Sequence, residues 1–257
     1  MKERLLVLAK ASPIESHKYK YLVCVAGITE NGEWRRIFPI PWDTFRGNND
    51  KKFKKKMWIE YELRDNKSPD GRPESRKIKG NTIQPLYEES YNKINKMLKE
   101  RLTNLEELQN KKRGECSLGV IKPMVEKMVW VDKKEEDCKN NNIQLTLEGL
   151  QTIKLEPMDK KFQYVFRCSP SCPKKHKIIC EDWELEELYR KLKKNYNDEK
   201  IICKNVVDKF MSILDSEYSY FIVGTHNVYN TWLIISVIYP KKKDINLLKT
   251  KTIDEYF

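Results

Sequence analysis

Residues 21–36 constrain this chain more than any other stretch. They read Tyr-Leu-Val-Cys-Val-Ala-Gly-Ile, then Thr-Glu-Asn-Gly-Glu, then Trp-Arg-Arg. An apolar run with β-branched residues, a turn and a second run make an antiparallel hairpin. Asn31-Gly32 sets the turn, because both residues accept the positive φ of a tight two-residue connection. A chain that opens this way is committed to a sheet, and more short strands flank the hairpin. Residues 5–8, 57–63 and 76–83 read as strands, and Ser68-Pro69-Asp70-Gly71 reads as a turn. Pro39 and Pro41 close the return strand. Strands this short and this closely spaced predict a small barrel over residues 1–84.

The period then changes. Leu86, Tyr87, Tyr91, Ile94, Met97, Leu98, Leu102, Leu105 and Leu108 recur every three or four positions. That pattern predicts one amphipathic bridging helix over 85–113, with Pro85 in its first turn and Gly114 after its end. Residues 114–240 read as a second β-rich part. Its expected strands cover 117–123, 124–131, 143–147, 152–155, 162–167, 218–223 and 231–239, and its helices 181–195 and 204–214. Residues 241–257 carry lysines and few core residues, and are expected to be a flexible tail. The fold class is therefore α+β and β-rich, with small barrels, a long bridging helix and a zinc-pinned C-terminal part.

The zinc expectation rests on Cys168, Cys172, His176 and Cys180, spaced four apart. Thiolate and imidazole are the donors zinc prefers, and a structural site needs four. Pro170 and Pro173 bend the segment so that closely spaced ligands converge. Cys203 and His226 are alternatives to Cys180 as the fourth ligand. Seven cysteines in a chain without a signal-like segment are read as metal ligands or core residues before disulfides.

Charge points to the partner. Lys and Arg outnumber Asp and Glu 50 to 38, a net charge of +12, and a surplus of this size speaks of an anionic partner. Trp34, Arg35, Arg36, Trp42, Arg46, Lys51, Lys52, Lys54, Lys55 and Lys56 interleave cations with rings. A single-strand groove uses that combination: charge tracks phosphates and rings stack on bases. No apolar run reaches the ~20 residues of a membrane span, so the expectation is a soluble cytoplasmic protein without a membrane partner. There is no P-loop, dinucleotide fingerprint or zinc-protease helix. A catalytic alternative, a nuclease or other nucleic-acid-modifying enzyme, would draw on His226, Asp182 and Glu184. Abundant Lys and Glu fit a thermophile.

Two resemblances add to this. Cys24, Ala26, Gly27, Gly32, Trp34 and Arg36 make the opening similar to poorly characterised prokaryotic proteins with a dual OB-like domain. That resemblance implies OB-like barrels, a fold that commonly binds single strands or oligosaccharides. The C-terminus, Thr250-Lys-Thr-Ile253-Asp-Glu-Tyr256-Phe257, resembles the archaeal type of peptide that binds the sliding clamp PCNA. Ile253 is its aliphatic plug and Tyr256 and Phe257 its aromatic pair, while Thr250 stands where the pattern has Gln. The resemblance implies a replication or repair accessory factor recruited by the clamp, or a clamp inhibitor.

Overall fold

The computed structural model of the protein describes residues 1–11, 14–16, 20–40, 44–45, 50–112, 114–133, 158–226 and 231–254. It is α+β and strand-rich, with two mixed sheets and few helices. Strands β1 (Lys2–Lys10), β2 (Ile14–Ser16), β3 (Lys20–Thr29), β4 (Trp34–Ile40), β5 (Met57–Glu62), β6 (Ser75–Lys77) and β7 (Gln84–Glu88) form the first. Their order is β6-β4-β3-β1-β5-β7, with β2 on β3.

The hairpin forms as its sequence requires. Gly32 has φ +80°, and the Thr29 N–H donates to the Glu33 carbonyl at 2.9 Å. Gly27 answers a different need. A Cβ there would lie 1.9 Å from the Leu6 carbonyl oxygen, so β1 and β3 pack together only around glycine. At the far side, β6 runs parallel to β4. Just beyond it, Ile78 bridges to Leu63, and the Lys79 N–H donates to the Glu62 carbonyl at 2.9 Å. The end of β5 is thereby tied to the segment after β6.

Two short helices follow, α1 (Tyr91–Lys99) and α2 (Leu105–Asn110). The single helix expected over 85–113 is therefore a strand and two helices. The cause is capping. Ser90 and Asn104 both accept from the backbone three residues on, at 3.4 Å and 2.8 Å, and each starts a helix of its own. Between them the Thr103 N–H donates to the Val120 carbonyl, which pulls the chain onto the second sheet.

That sheet contains β8 (Leu118–Ile121), β9 (Met124–Asp132), β10 (Lys160–Arg167), β11 (His176–Cys180), β12 (Tyr220–Thr225) and β13 (Trp232–Ile238), in the order β8-β12-β13-β11-β10-β9. Its two edges, β8 and β9, are consecutive in the chain, parted by Lys122 and Pro123. Helices α3 (Trp183–Lys193) and α4 (Glu199–Ser212) lie between β11 and β12. The segments 143–147 and 152–155, expected as strands, lie outside the described residues.

The sheets share a core. Leu5 and Val7 of β1 point into the first sheet's own interior, while Leu6 and Leu8 meet Tyr220, Ile222, Leu233 and Ile235 of the second. Phe221, Val223 and Ile234 point the other way, into the second sheet's interior. Strands buried on both faces read as continuous apolar runs, which is why these do not alternate in the sequence. Each such side chain contributes roughly 1.5–3 kcal/mol. Residues Lys242–Asp254 form a fifth helix, α5, where a flexible tail was expected. Leu248, 7% exposed, anchors it to the shared core. No helix among the described residues is long and apolar enough to cross a membrane.

Candidate metal centre

The hairpin of β10 and β11 closes through residues 168–175. The Cys172 N–H donates to the Ser169 carbonyl at 3.1 Å, and Arg167 donates to the Cys172 carbonyl. The turn returns His176 to the register of Phe166 and sets the two rings at a tilt of 43° with centroids 5.5 Å apart. Cys168, Cys172 and His176 thus reach one side of the hairpin, in line with their spacing.

The fourth donor is Glu106, from the first turn of α2. Its Oε1 lies 2.8 Å from His176 Nε2 and 3.2 Å from Cys172 Sγ, and the same Sγ lies 3.3 Å from Nε2. One ligand atom from each of Glu106, Cys168, Cys172 and His176 falls within 4.8 Å of every other. This cluster can hold a metal ion. Zinc bonds of about 2.0–2.3 Å in a tetrahedron set neighbouring ligand atoms roughly 3.3–3.8 Å apart, so a small inward or outward adjustment fits the group. Burial is the main cause that pushes the Cys168 thiol up to about 12, and the charges of Glu106 and Cys172 push it further. Burial opposes charge on Glu106, but hydrogen bonds from Cys172 and the neighbouring His176 hold its carboxyl below the ordinary range. The Leu105 N–H adds a 3.3 Å contact to Cys168 Sγ, so the head of α2 is held at two points.

Cys180 is not part of this group. It ends β11, 4% exposed within the core of the second sheet, and burial raises its thiol pKa. It lies four strand residues beyond His176, roughly 13 Å along β11. Cys203 is fully buried in that core on α4. His226 stands at the end of β12, held below its ordinary pKa by burial and by the charges of Arg72 and Lys161.

Of the basic cluster expected to face nucleic acid, Arg35, Arg36 and Lys55 are buried and Lys56 is partly buried. Arg35, 6% exposed, pairs with Glu3 at 2.8 Å and Glu33 at 2.6 Å. Arg36, 3% exposed, donates to the Ser117 carbonyl across the sheet junction at 3.1 Å. Lys55 reaches Asp182 and Glu184, both at 2.8 Å. Lys56 donates to the Tyr239 carbonyl and lies over the Tyr91 ring. Trp34 packs on the shared core. Lys51, Lys52 and Lys54 are exposed, and Trp42 and Arg46 lie outside the described residues. The reason is topological. Arg35 is paired within the first sheet's own half, with Glu3 of β1 and Glu33 of its own hairpin, while Arg36, Lys55 and Lys56 reach groups of the second half 81–183 positions away. Asp182 is fully buried and serves structure: it caps α3 through the Glu184 N–H and accepts from Val237 N–H and Lys55. Thr250 and Ile253 lie in α5, and Tyr256 and Phe257 lie outside the described residues.

Residues 1–107 match a family model described as Domain of unknown function (DUF8758), and residues 99–255 match one described as Domain of unknown function (DUF8757). No curated protein matches the chain. The two matches overlap at 99–107, the stretch that carries Glu106 from the first sheet's side to the second sheet's hairpin.

Proposed function

The chain belongs to the family described as Domain of unknown function (DUF8757), and we propose that it is a nucleic-acid-associated accessory factor built on two OB-like barrels. The strand orders carry this reading. In each sheet a three-strand meander (β1-β3-β4, β9-β10-β11) meets a parallel neighbour (β6, β13), and the next strands lead back toward the first. That course is the Greek-key path of a five-stranded OB barrel. The bridge between Leu63 and Ile78 in one sheet and the β8–β9 continuity in the other support it. OB barrels bind single strands or oligosaccharides, and a net charge of +12 favours the polyanion. The step from fold to ligand is analogy, and binding tests it. Single-stranded oligonucleotide should bind the metal-loaded protein and lose about tenfold or more in affinity between about 50 and 200 mM salt. No binding at low salt contradicts the reading.

Zinc is the ion the centre would take, in a structural role: two thiols, an imidazole and a carboxylate supply a closed set of four. The C-terminal peptide, Thr250 to Phe257, would tether the protein to PCNA, with Ile253, Tyr256 and Phe257 as apolar anchors. The tether raises the local concentration of a weak nucleic-acid contact. Deleting 250–257 should reduce PCNA affinity in calorimetry by about a hundredfold or more. Unchanged affinity contradicts the tether.

A further inference from the structure

A groove of about 470 Å3 opens beside the metal-held helix, between the end of α2 and the outer face of β10, β11 and β13. Its volume suits a small organic ligand. Lys111, Lys112 and Lys177 line it, and no carboxylate among the described residues does. All three lysines are exposed, and none is held in an ion pair among the described residues. Trp232 and Leu233 give it an apolar wall. On its floor Gln163 has its Oε1 buried without a hydrogen-bond partner. A buried polar atom left unpaired costs about 1–3 kcal/mol, so a ligand that donates to it gains that much in the groove.

These features specify a ligand in parts. One end must be anionic, to meet three lysines. One part must be flat and apolar enough to lie against an indole. The flat part must also carry hydrogen-bonding groups on its edge, to reach a buried carboxamide. We propose that the groove binds a nucleotide, with its base edge on Gln163, its base plane against Trp232 and its phosphate among Lys111, Lys112 and Lys177. A free mononucleotide and one residue of a single strand share this chemistry. The groove rests on the nucleic-acid reading, deepens it, and moves the contact surface from residues 34–56 to the second sheet. It also gives the metal centre a consequence, since the helix whose head it holds ends at the two groove lysines.

The test uses the full-length, metal-loaded protein with two probes: adenosine monophosphate by calorimetry and a labelled oligo-dT by fluorescence anisotropy. Lys111→Ala/Lys112→Ala changes two exposed side chains and leaves the core intact. It should weaken oligonucleotide binding about tenfold and flatten the slope of log K against log salt by about 1.4, the share of two phosphates on a single strand. Gln163→Leu, near in volume, should weaken both probes without changing that slope. Oligo-dT far tighter than the monophosphate identifies a strand as the source, and comparable affinities identify a free nucleotide. Wild-type binding that survives both variants unchanged overturns the groove alone. Monophosphate binding without oligonucleotide binding keeps the groove and overturns the accessory-factor reading. Neither probe binding overturns both.

Discussion

Cys172→Ser is expected to release the metal and lower the melting temperature by about 6–20 °C. A structural zinc contributes roughly 10–16 kcal/mol where it is the whole basis of a small fold. Here the second sheet has its own core of aromatic and aliphatic side chains, so the loss is a fraction of that, on the order of 3–5 kcal/mol. For a chain of this size each kcal/mol moves the midpoint by about 2–4 °C. What fails is specific. Without the ion, two thiols and a carboxylate crowd one imidazole, and the head of α2 keeps only its hydrogen bonds to the hairpin. Chelation of the wild-type protein should bring its melting temperature to that of the variant. Scanning calorimetry in which neither change moves the midpoint contradicts a structural metal.

Asp182→Ala should be as damaging for an unrelated reason. Asp182 is fully buried and takes four donors: Lys55 Nζ at 2.8 Å, the Val237 N–H at 2.7 Å, the Glu184 N–H at 2.9 Å and the Ser236 hydroxyl at 3.3 Å. One carboxylate thus caps α3, satisfies β13 and neutralises a lysine from the first sheet. Burial alone would lower the Lys55 pKa, but the charges of Asp182 and Glu184 hold it above its ordinary value. Removing Asp182 leaves an ammonium that is 4% exposed with a half-exposed glutamate as its remaining ionic partner. Breaking a buried pair from one side costs about 3–5 kcal/mol. Glu184→Gln, at the exposed end of the same network, should cost under about 1 kcal/mol. Urea denaturation ranks the two, and equal small losses contradict a central role for Asp182.

Local structure is legible in the residues, and long-range pairing is not. The Asn31-Gly32 hairpin, the strands around Leu5, Trp58, Tyr164, Phe221 and Ile234, and the amphipathic helix beginning at Trp183 all follow from residue pattern, and all are present. Cys168, Cys172 and His176 stand out because their spacing is their geometry. Glu106 lies 62 positions before Cys168 and has the ordinary look of a first-turn helix acid, so no spacing points to it. Cys180 has the spacing, but His176 opens β11 and Cys180 ends it, so four residues of extended strand hold it roughly 13 Å from the cluster. Arg35, Arg36 and Lys55 have the appearance of a nucleic-acid face. Arg35 meets Glu3 only when the first sheet pairs its strands, and Arg36 and Lys55 meet the Ser117 carbonyl and Asp182 only when the two sheets close over Leu6 and Leu8. A single bridging helix does not form because the apolar period runs on through Ser90 and Asn104, two caps that each start a new helix.

The two halves of the chain meet in one arrangement: Glu106 of the helix after the first sheet joins Cys168, Cys172 and His176 of the second sheet's hairpin in a cluster that can hold a metal ion, which we propose to be zinc. X-ray absorption at the zinc edge of the purified full-length protein tests it most directly. The predicted first shell is two sulfurs at about 2.3 Å and two nitrogen or oxygen atoms at about 2.0–2.2 Å, with Glu106→Gln changing that shell or releasing the ion. A shell with three sulfurs would put Cys180 or Cys203 in the place of Glu106, and a protein purified without zinc would remove the centre altogether. Either result contradicts the arrangement.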